Sequence, residues 1–239
     1  MTRANYGIYG TVGFFVFLVL VALVSLVIVI FNDYLRPLFA TTFVVSLAVL
    51  FLVPAIFARS RKKTVREIVE AGRIKPNHFV LDVGTGRGFP AIKIAKAVPL
   101  CSVIGIDIWD KPAKGQFHKG FILGNTKENA EKNAVLEGVQ GRVEFRQCDA
   151  REMPFESETF DVVVSFAAIH QMVYFGRDGD RVLVEIHRVL KKGGRFVDVD
   201  PMVGQRIVDK LQELGFIDIE LKNLKMFPSF LKMLTATKD

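Results

Sequence analysis

A chain of 239 residues has room for one ordinary domain and an appendage, and half of its residues are hydrophobic. Its two cysteines, Cys101 and Cys148, lie far apart in or beside expected strands, which excludes a cysteine-built metal site and suits buried, reduced thiols; no metal is expected. The net charge of +7 would suit nucleic acid, but much of the excess sits in one cluster, Arg59, Arg61, Lys62, Lys63 and Arg66. No aromatic-basic interleaving accompanies it, so no nucleic-acid partner is expected.

Gly7 to Phe31 carries no charged side chain, and neither does Pro37 to Ala58. A bilayer-spanning helix needs about 20 apolar residues, so both runs qualify. The first is too long for the core of a cleaved signal peptide, and no small-x-small site follows it. The expectation is a transmembrane helical hairpin over residues 1–60 that holds the protein to the membrane through residues 7–31 and 37–58. The linker Asn32-Asp33-Tyr34-Leu35-Arg36 is near neutral, whereas the basic cluster follows the second run. Positive residues stay on the cytoplasmic side, so both the N-terminus and a domain over 61–239 should face the cytoplasm. Tyr6, Tyr9 and Tyr34 suit the interfaces, and Pro54 would kink or end the second span.

Beyond the spans, 64–74 reads as an amphipathic helix with Val65, Ile68 and Val69 on one face, and Pro76-Asn77 breaks it. Strands are expected at Phe79–Val83, Ser102–Asp107, Val143–Gln147, Asp161–Ser165, Gly194–Val199, Ile217–Leu221 and Leu231–Thr237. Helices are expected at Gly88–Ala97, Thr126–Glu137, Arg181–Leu190 and Val203–Leu214. Alternating strands and helices imply an α/β fold with a mostly parallel sheet covered on both faces. The last two strands have no helix between them and read as a hairpin.

The first strand runs into VLDVGTGRGFP, residues 80–90. Glycine accepts positive φ and lets a ligand approach the backbone, and the helix that follows offers free amides. A phosphate loop would need Gly-Lys-Ser/Thr where Phe89-Pro90 stands, and a dinucleotide fingerprint would need glycine at 89. Gly84, Gly86 and Gly88, with Thr85 between the first two, follow Asp82, whose carboxylate repels a pyrophosphate and suits an ammonium. The competing role for Asp82 is to cap its own turn. Asp107, at the end of the second strand, is placed to accept from two ribose hydroxyls, and Asp149, after the third, from an exocyclic amine. Together they describe a pocket for an adenosine joined to an amino acid.

The stretches VLDVGTGRG, VIGIDIW, FRQCDAREMPF, TFDVVVSFAAIHQM and LVEIHRVLKKGGRFVDVDP, in this order, resemble the class I S-adenosylmethionine-dependent methyltransferases. In style they are nearest to the ubiquinone/menaquinone-type C-methyltransferases, and the likeness covers residues 79–237. It implies a Rossmann-like seven-stranded sheet of order 3-2-1-4-5-7-6 and S-adenosylmethionine as cofactor. By the same resemblance, Asp82 and the turn at Gly84, Thr85, Gly86 and Gly88 line the methionine end. Asp107 holds the ribose, Ile108 or Trp109 packs on adenine, Asp149 meets its amine with Ala150 beside it, and Ser165 and Phe166 lie near the sulfonium. An Asn-Pro-Pro-Tyr motif is absent after the fourth strand, which argues against a DNA adenine acceptor. The long link at 110–125 departs from the family pattern, as does the lack of an inserted subdomain before the sixth strand.

Methyl transfer needs a general base only when the acceptor must lose its proton early. His170, just after the fourth strand, is the candidate, either as that base or as a packed histidine at a helix start. His187 should be structural and His118 a surface residue. The acceptor is expected to be a small molecule or a lipid. The competing functions are a nicotinamide-dependent oxidoreductase on the same sheet and a membrane-tethered scaffold or sensor that binds cofactor without turnover.

Overall fold

A computed structural model describes residues 4–6, 12–31, 39–45, 48, 63–109, 124–176, 178–224 and 231–239. Two compact units result, one of residues 1–7 with 63–239 and the other of 8–62. The second contains helix α1 (Val12–Phe31), whose side chains are described from 19 to 29. Among the described residues no helix is long and apolar enough to cross a membrane. Apart from 39–45 and residue 48, which are helical, the second apolar run and the linker before it fall outside the described residues, so the expected hairpin rests on sequence.

The first unit is a seven-stranded sheet of order β3-β2-β1-β4-β5-β7-β6. Its strands are β1 (Phe79–Val83), β2 (Ser102–Asp107), β3 (Val143–Gln147), β4 (Phe160–Phe166), β5 (Leu190–Asp200), β6 (Phe216–Asn223) and β7 (Lys232–Lys238). The first five pair in parallel, and β7 runs antiparallel to both β5 and β6. This is the order and hairpin expected. Alternation along each strand feeds two cores. Val80, Val103, Val164 and Val197 face the helix at 63–71 (α2), α3 (Phe89–Ala97) and α4 (Lys127–Leu136). Leu81, Ile104, Val163 and Phe196 face α5 (Ile169–Phe175), α6 (Asp180–Val189) and α7 (Gln205–Glu213). Val65 and Ile68 of α2 are buried as their spacing implied.

Two features depart from the sequence reading. Helix α5 was not among the expected helices, although one reading of His170 put it at a helix start, because seven residues so soon after a strand show little periodicity. Tyr6, expected at a membrane interface, is instead 8% exposed and packed edge-on against Phe89, with ring centroids 5.3 Å apart. Lys93 lies 5.1 Å over its ring, and its hydroxyl donates to Glu137 at 3.2 Å. An apolar ring with a polar tip finds both partners on this surface, so it needs no lipid boundary.

The chain leaves β1 toward β2 and β3 and leaves β4 toward β5, so the strand order reverses between β1 and β4. A crevice opens there at the strands' carboxyl ends. The turn filling it demands glycine: at Gly88, with φ +80, an added Cβ would lie 2.6 Å from the Phe145 ring and 2.9 Å from Ile92. Gly88→Ala combines a left-handed backbone cost with overpacking, and should lower stability by roughly 2–4 kcal/mol, read by thermal or urea unfolding.

Candidate active site

Two carboxylates, Asp82 buried and Asp107 half-buried, hold the glycine turn. Asp82 Oδ2 accepts from the Thr85 hydroxyl at 2.6 Å and from the Ala91 amide, in the first turn of α3, at 3.1 Å. Its Oδ1 is buried without a hydrogen-bond partner. One oxygen therefore does the turn-capping job, and the other is left buried without a partner. Burial pushes the Asp82 carboxyl from the usual 3.8 up to about 7 against those two hydrogen bonds, with Asp107 adding a smaller repulsion.

Asp107 grips the turn from β2. Its Oδ2 accepts from the Gly86 amide at 2.8 Å, and its Oδ1 from the amides of Ile108 at 2.8 Å and Trp109 at 3.3 Å. Burial raises its pKa, and these amides act the other way. The two candidates for the adenine contact part company here. Ile108 lines a small cavity with Gly84, Ile106, Asp107, Cys148, Asp149, Ala150, Arg151 and Met172. The Trp109 indole instead donates to the Gly86 carbonyl at 2.9 Å, from a backbone held at φ 37. Asp149 sits in the cavity wall, but Arg151 occupies its carboxylate, with contacts from 2.6 to 3.2 Å, and keeps it below the ordinary carboxylate range. Sequence reasoning missed Arg151, although a cation two residues beyond an acid in a turn was a usable signal.

The other half of the crevice is built by β4, β5 and α5. Gly84 (φ +74) approaches α5 so closely that a Cβ there would fall 2.3 Å from that of Ala168. Ala167 turns the chain with φ 55, an uncommon backbone state for a residue with a Cβ. This turn carries His170 over the end of β5, where its Nδ1 lies 2.7 Å from Asp200 Oδ2. Asp200 is fully buried and is held in turn by the amides of Met202 at 2.8 Å and His170 at 3.3 Å. A carboxylate only accepts, so the imidazole carries its proton on Nδ1 and leaves Nε2 basic. Thus His170 does begin a helix, as one sequence reading held, and it also has the acidic partner that a base needs. That partner, in VDVDP, was missed, since only the β4–β5 pairing brings the two together. Ser165, paired with Asp198 across those strands, is buried and does not line the cavity. Desolvation and then the Asp200 charge raise the pKa of buried Asp198 well above the carboxylate range, with the Ser165 hydroxyl acting the other way. Phe166 packs on Phe89, with centroids 5.7 Å apart. His187 lies edge-on to Phe216, a structural role. His118 and the link at 110–123 fall outside the described residues. Among the described residues no group of acidic, histidine or cysteine side chains is arranged to hold a metal.

Residues 81–198 match the family described as a methyltransferase domain. Over that stretch the chain carries a methyltransferase domain. A demethylmenaquinone methyltransferase of Lactobacillus johnsonii is 28% identical over 180 residues, covering 75% of this chain and 62% of that protein. A ubiquinone/menaquinone biosynthesis C-methyltransferase of Desulfotalea psychrophila is 34% identical over 121 residues, 51% of this chain and 40% of that one. The chain thus spans less than two thirds of the length of these relatives. The geranyl diphosphate C-methyltransferase structure from Streptomyces coelicolor shares the fold at a TM-score of 0.61 and 12% identity, over 78% of this chain and 82% of its own. The YcgJ structure from Bacillus subtilis does so at 0.57 and 18%, over 74% and 98%.

The cofactor fits the residues present: a glycine cradle, an unpartnered buried Asp82 oxygen for its ammonium, and Asp107 beside the cavity for its ribose. Asp107→Ala should weaken S-adenosylmethionine binding more than tenfold, about 1.4 kcal/mol, by calorimetry. Because Asp82 titrates at about 7 in the free protein, affinity should rise as pH climbs from 6 toward 7.5 and the carboxylate ionises. It should then level as the ligand's own amine begins to lose its proton, near 8 for an ordinary α-amino group. Binding near pH 6.5 should release protons, seen as a dependence of the calorimetric heat on buffer ionisation enthalpy.

Proposed function

We propose that the protein is a membrane-anchored methyltransferase that moves the methyl group of S-adenosylmethionine to a small-molecule or lipid acceptor, with its catalytic domain facing the cytoplasm. The observation that carries the reading is the cavity at the β1/β4 switch point, where Gly84, Asp107, Ile108, Asp149 and Ala150 meet beside a turn held by Asp82. When bound there, the cofactor supplies a methyl group already activated by a sulfonium, so the protein's work is alignment and exclusion of water. Asp82 and Asp107 present the turn's amides, Ile108 offers an apolar face to the base, and Asp149 meets the base's edge by sharing or releasing Arg151. His170 takes the acceptor's proton on Nε2, and Asp200 stabilises the imidazolium through Nδ1. The names of relatives, which include a 27-O-demethylrifamycin SV methyltransferase of Amycolatopsis mediterranei, 34% identical over 116 residues, support a small-molecule acceptor.

Two observations support the anchor. In the sequence, neither Gly7 to Phe31 nor Pro37 to Ala58 carries a charged side chain, and each run reaches the length a span needs. Residues 4–6 belong to the same unit as 63–239, so the segment between leaves and re-enters one body. If that segment crosses a bilayer, it does so an even number of times, as a hairpin requires. A nicotinamide oxidoreductase is disfavoured by the carboxylate at Asp82, which opposes a pyrophosphate.

Tritiated methyl transfer from S-adenosylmethionine into membrane and soluble extracts tests the reading. Label should enter an extractable lipid or small molecule from the membrane fraction. Heat from NAD but none from S-adenosylmethionine would sink the assignment, and a soluble acceptor used equally well without residues 8–62 would remove the membrane from it. His170→Ala should cut kcat by about 10²–10⁴ while leaving cofactor affinity within twofold or so, if the acceptor's proton leaves early.

A further inference from the structure

Glycine has broad conformational freedom, so a turn built on Gly84, Gly86 and Gly88 does not fix its own shape. Asp82 and Asp107 hold its first half. The second half, residues 87–89, is held by different groups, several of them from the far end of the chain. The Asn133 side chain, 3% exposed, donates to the Arg87 carbonyl at 3.1 Å and to the Asn5 carbonyl at 3.0 Å. Its Oδ1 accepts the Asn5 amide at 2.9 Å. Arg87 Nη1 reaches back to the Asn5 carbonyl at 3.2 Å and to its Oδ1 at 3.0 Å, while Nε donates to the Gly124 carbonyl at 2.8 Å. Next to this network, Tyr6 seats on Phe89, the first residue of α3, and Phe89 packs on Phe166 at the end of β4. Residues 4–6 therefore contact the part of the turn that leads into α3 and, through Phe89, bear on the tip of β4.

From these contacts we propose that residues 4–6 are a positioning element of the cofactor site, setting the backbone of residues 86–89 through Arg87, Asn133 and Phe89 without touching the cofactor. This rests on the methyltransferase reading. A turn ordered before binding spares the ligand the entropy of ordering it, so the strap appears in cofactor affinity as well as in stability. It also ties the occupancy of the site to the few residues that lead into α1.

The test uses the full chain in detergent or nanodiscs, with Asn5→Ala, Tyr6→Ala and Tyr6→Phe. Asn5 is exposed, so its truncation leaves the core intact. Affinity for S-adenosylhomocysteine is measured by calorimetry well below each variant's melting temperature. Emission is followed from Trp109, the only tryptophan, whose indole is bonded to Gly86. Asn5→Ala and Tyr6→Ala should each weaken binding by about fivefold or more through lost preorganisation. Both should shift Trp109 emission in the ligand-free protein, and Tyr6→Phe, which keeps the ring on Phe89 and under Lys93, should bind nearly as the wild type does. Variants that melt earlier yet bind and emit as the wild type does would make residues 4–6 a mere plug and overturn the proposal. Wild-type protein that fails to bind the ligand would overturn the methyltransferase reading and this proposal with it.

Discussion

Two carboxylates taken out of water hold the crevice open in the right shape. Asp82 and Asp107 stand at the ends of neighbouring parallel strands, and each spends hydrogen bonds on the backbone or hydroxyl of one short turn. Desolvation makes both reluctant to ionise, and those bonds offset part of that cost. By the proposed reading a neutral amide at Asp82 would fit the space but not the ligand's ammonium, so this pair would serve both folding and recognition.

The remaining site follows from how far that turn lets its neighbours approach. The close passage of Gly84 beneath Ala168 brings the start of α5 onto the crevice, and the unusual backbone at Ala167 points His170 at Asp200. Backbone strain of this kind persists only where the surroundings over-determine it. Here the Ala167 amide is tied to the Val199 carbonyl at 2.8 Å, on the strand that carries Asp200. One strand tip fixes both His170 and the carboxylate that orients it.

Much of this was legible in the residues. The strand series, its order and the final hairpin came from periodicity and resemblance, and Gly84, Asp107, Ile108, Asp149 and Ala150 do gather at one cavity. What stayed hidden depended on contacts between distant segments. Asp200 lies 30 residues beyond His170 and is adjacent only through β4–β5 pairing. Arg151 was given no role, and Tyr6 was read as a membrane-facing aromatic, because sequence shows a side chain's chemistry and not the surface it will meet. Trp109 and Ile108 were indistinguishable as neighbours in the chain, and the left-handed backbone at Trp109 separates them.

The placement of β7 has a kinetic side. It follows β6 in the chain, yet it lies between β5 and β6, and among the described residues β6 pairs with no other strand. The half carrying the nucleoside crevice is complete in sequence once β5 has emerged, while β6 has to wait, unpaired, for a strand not yet synthesised. Sheet assembly therefore runs out of step with translation at that edge. A nascent chain stalled just short of Lys232 would expose the flank of β5 and a lone β6 to whatever other strands are nearby.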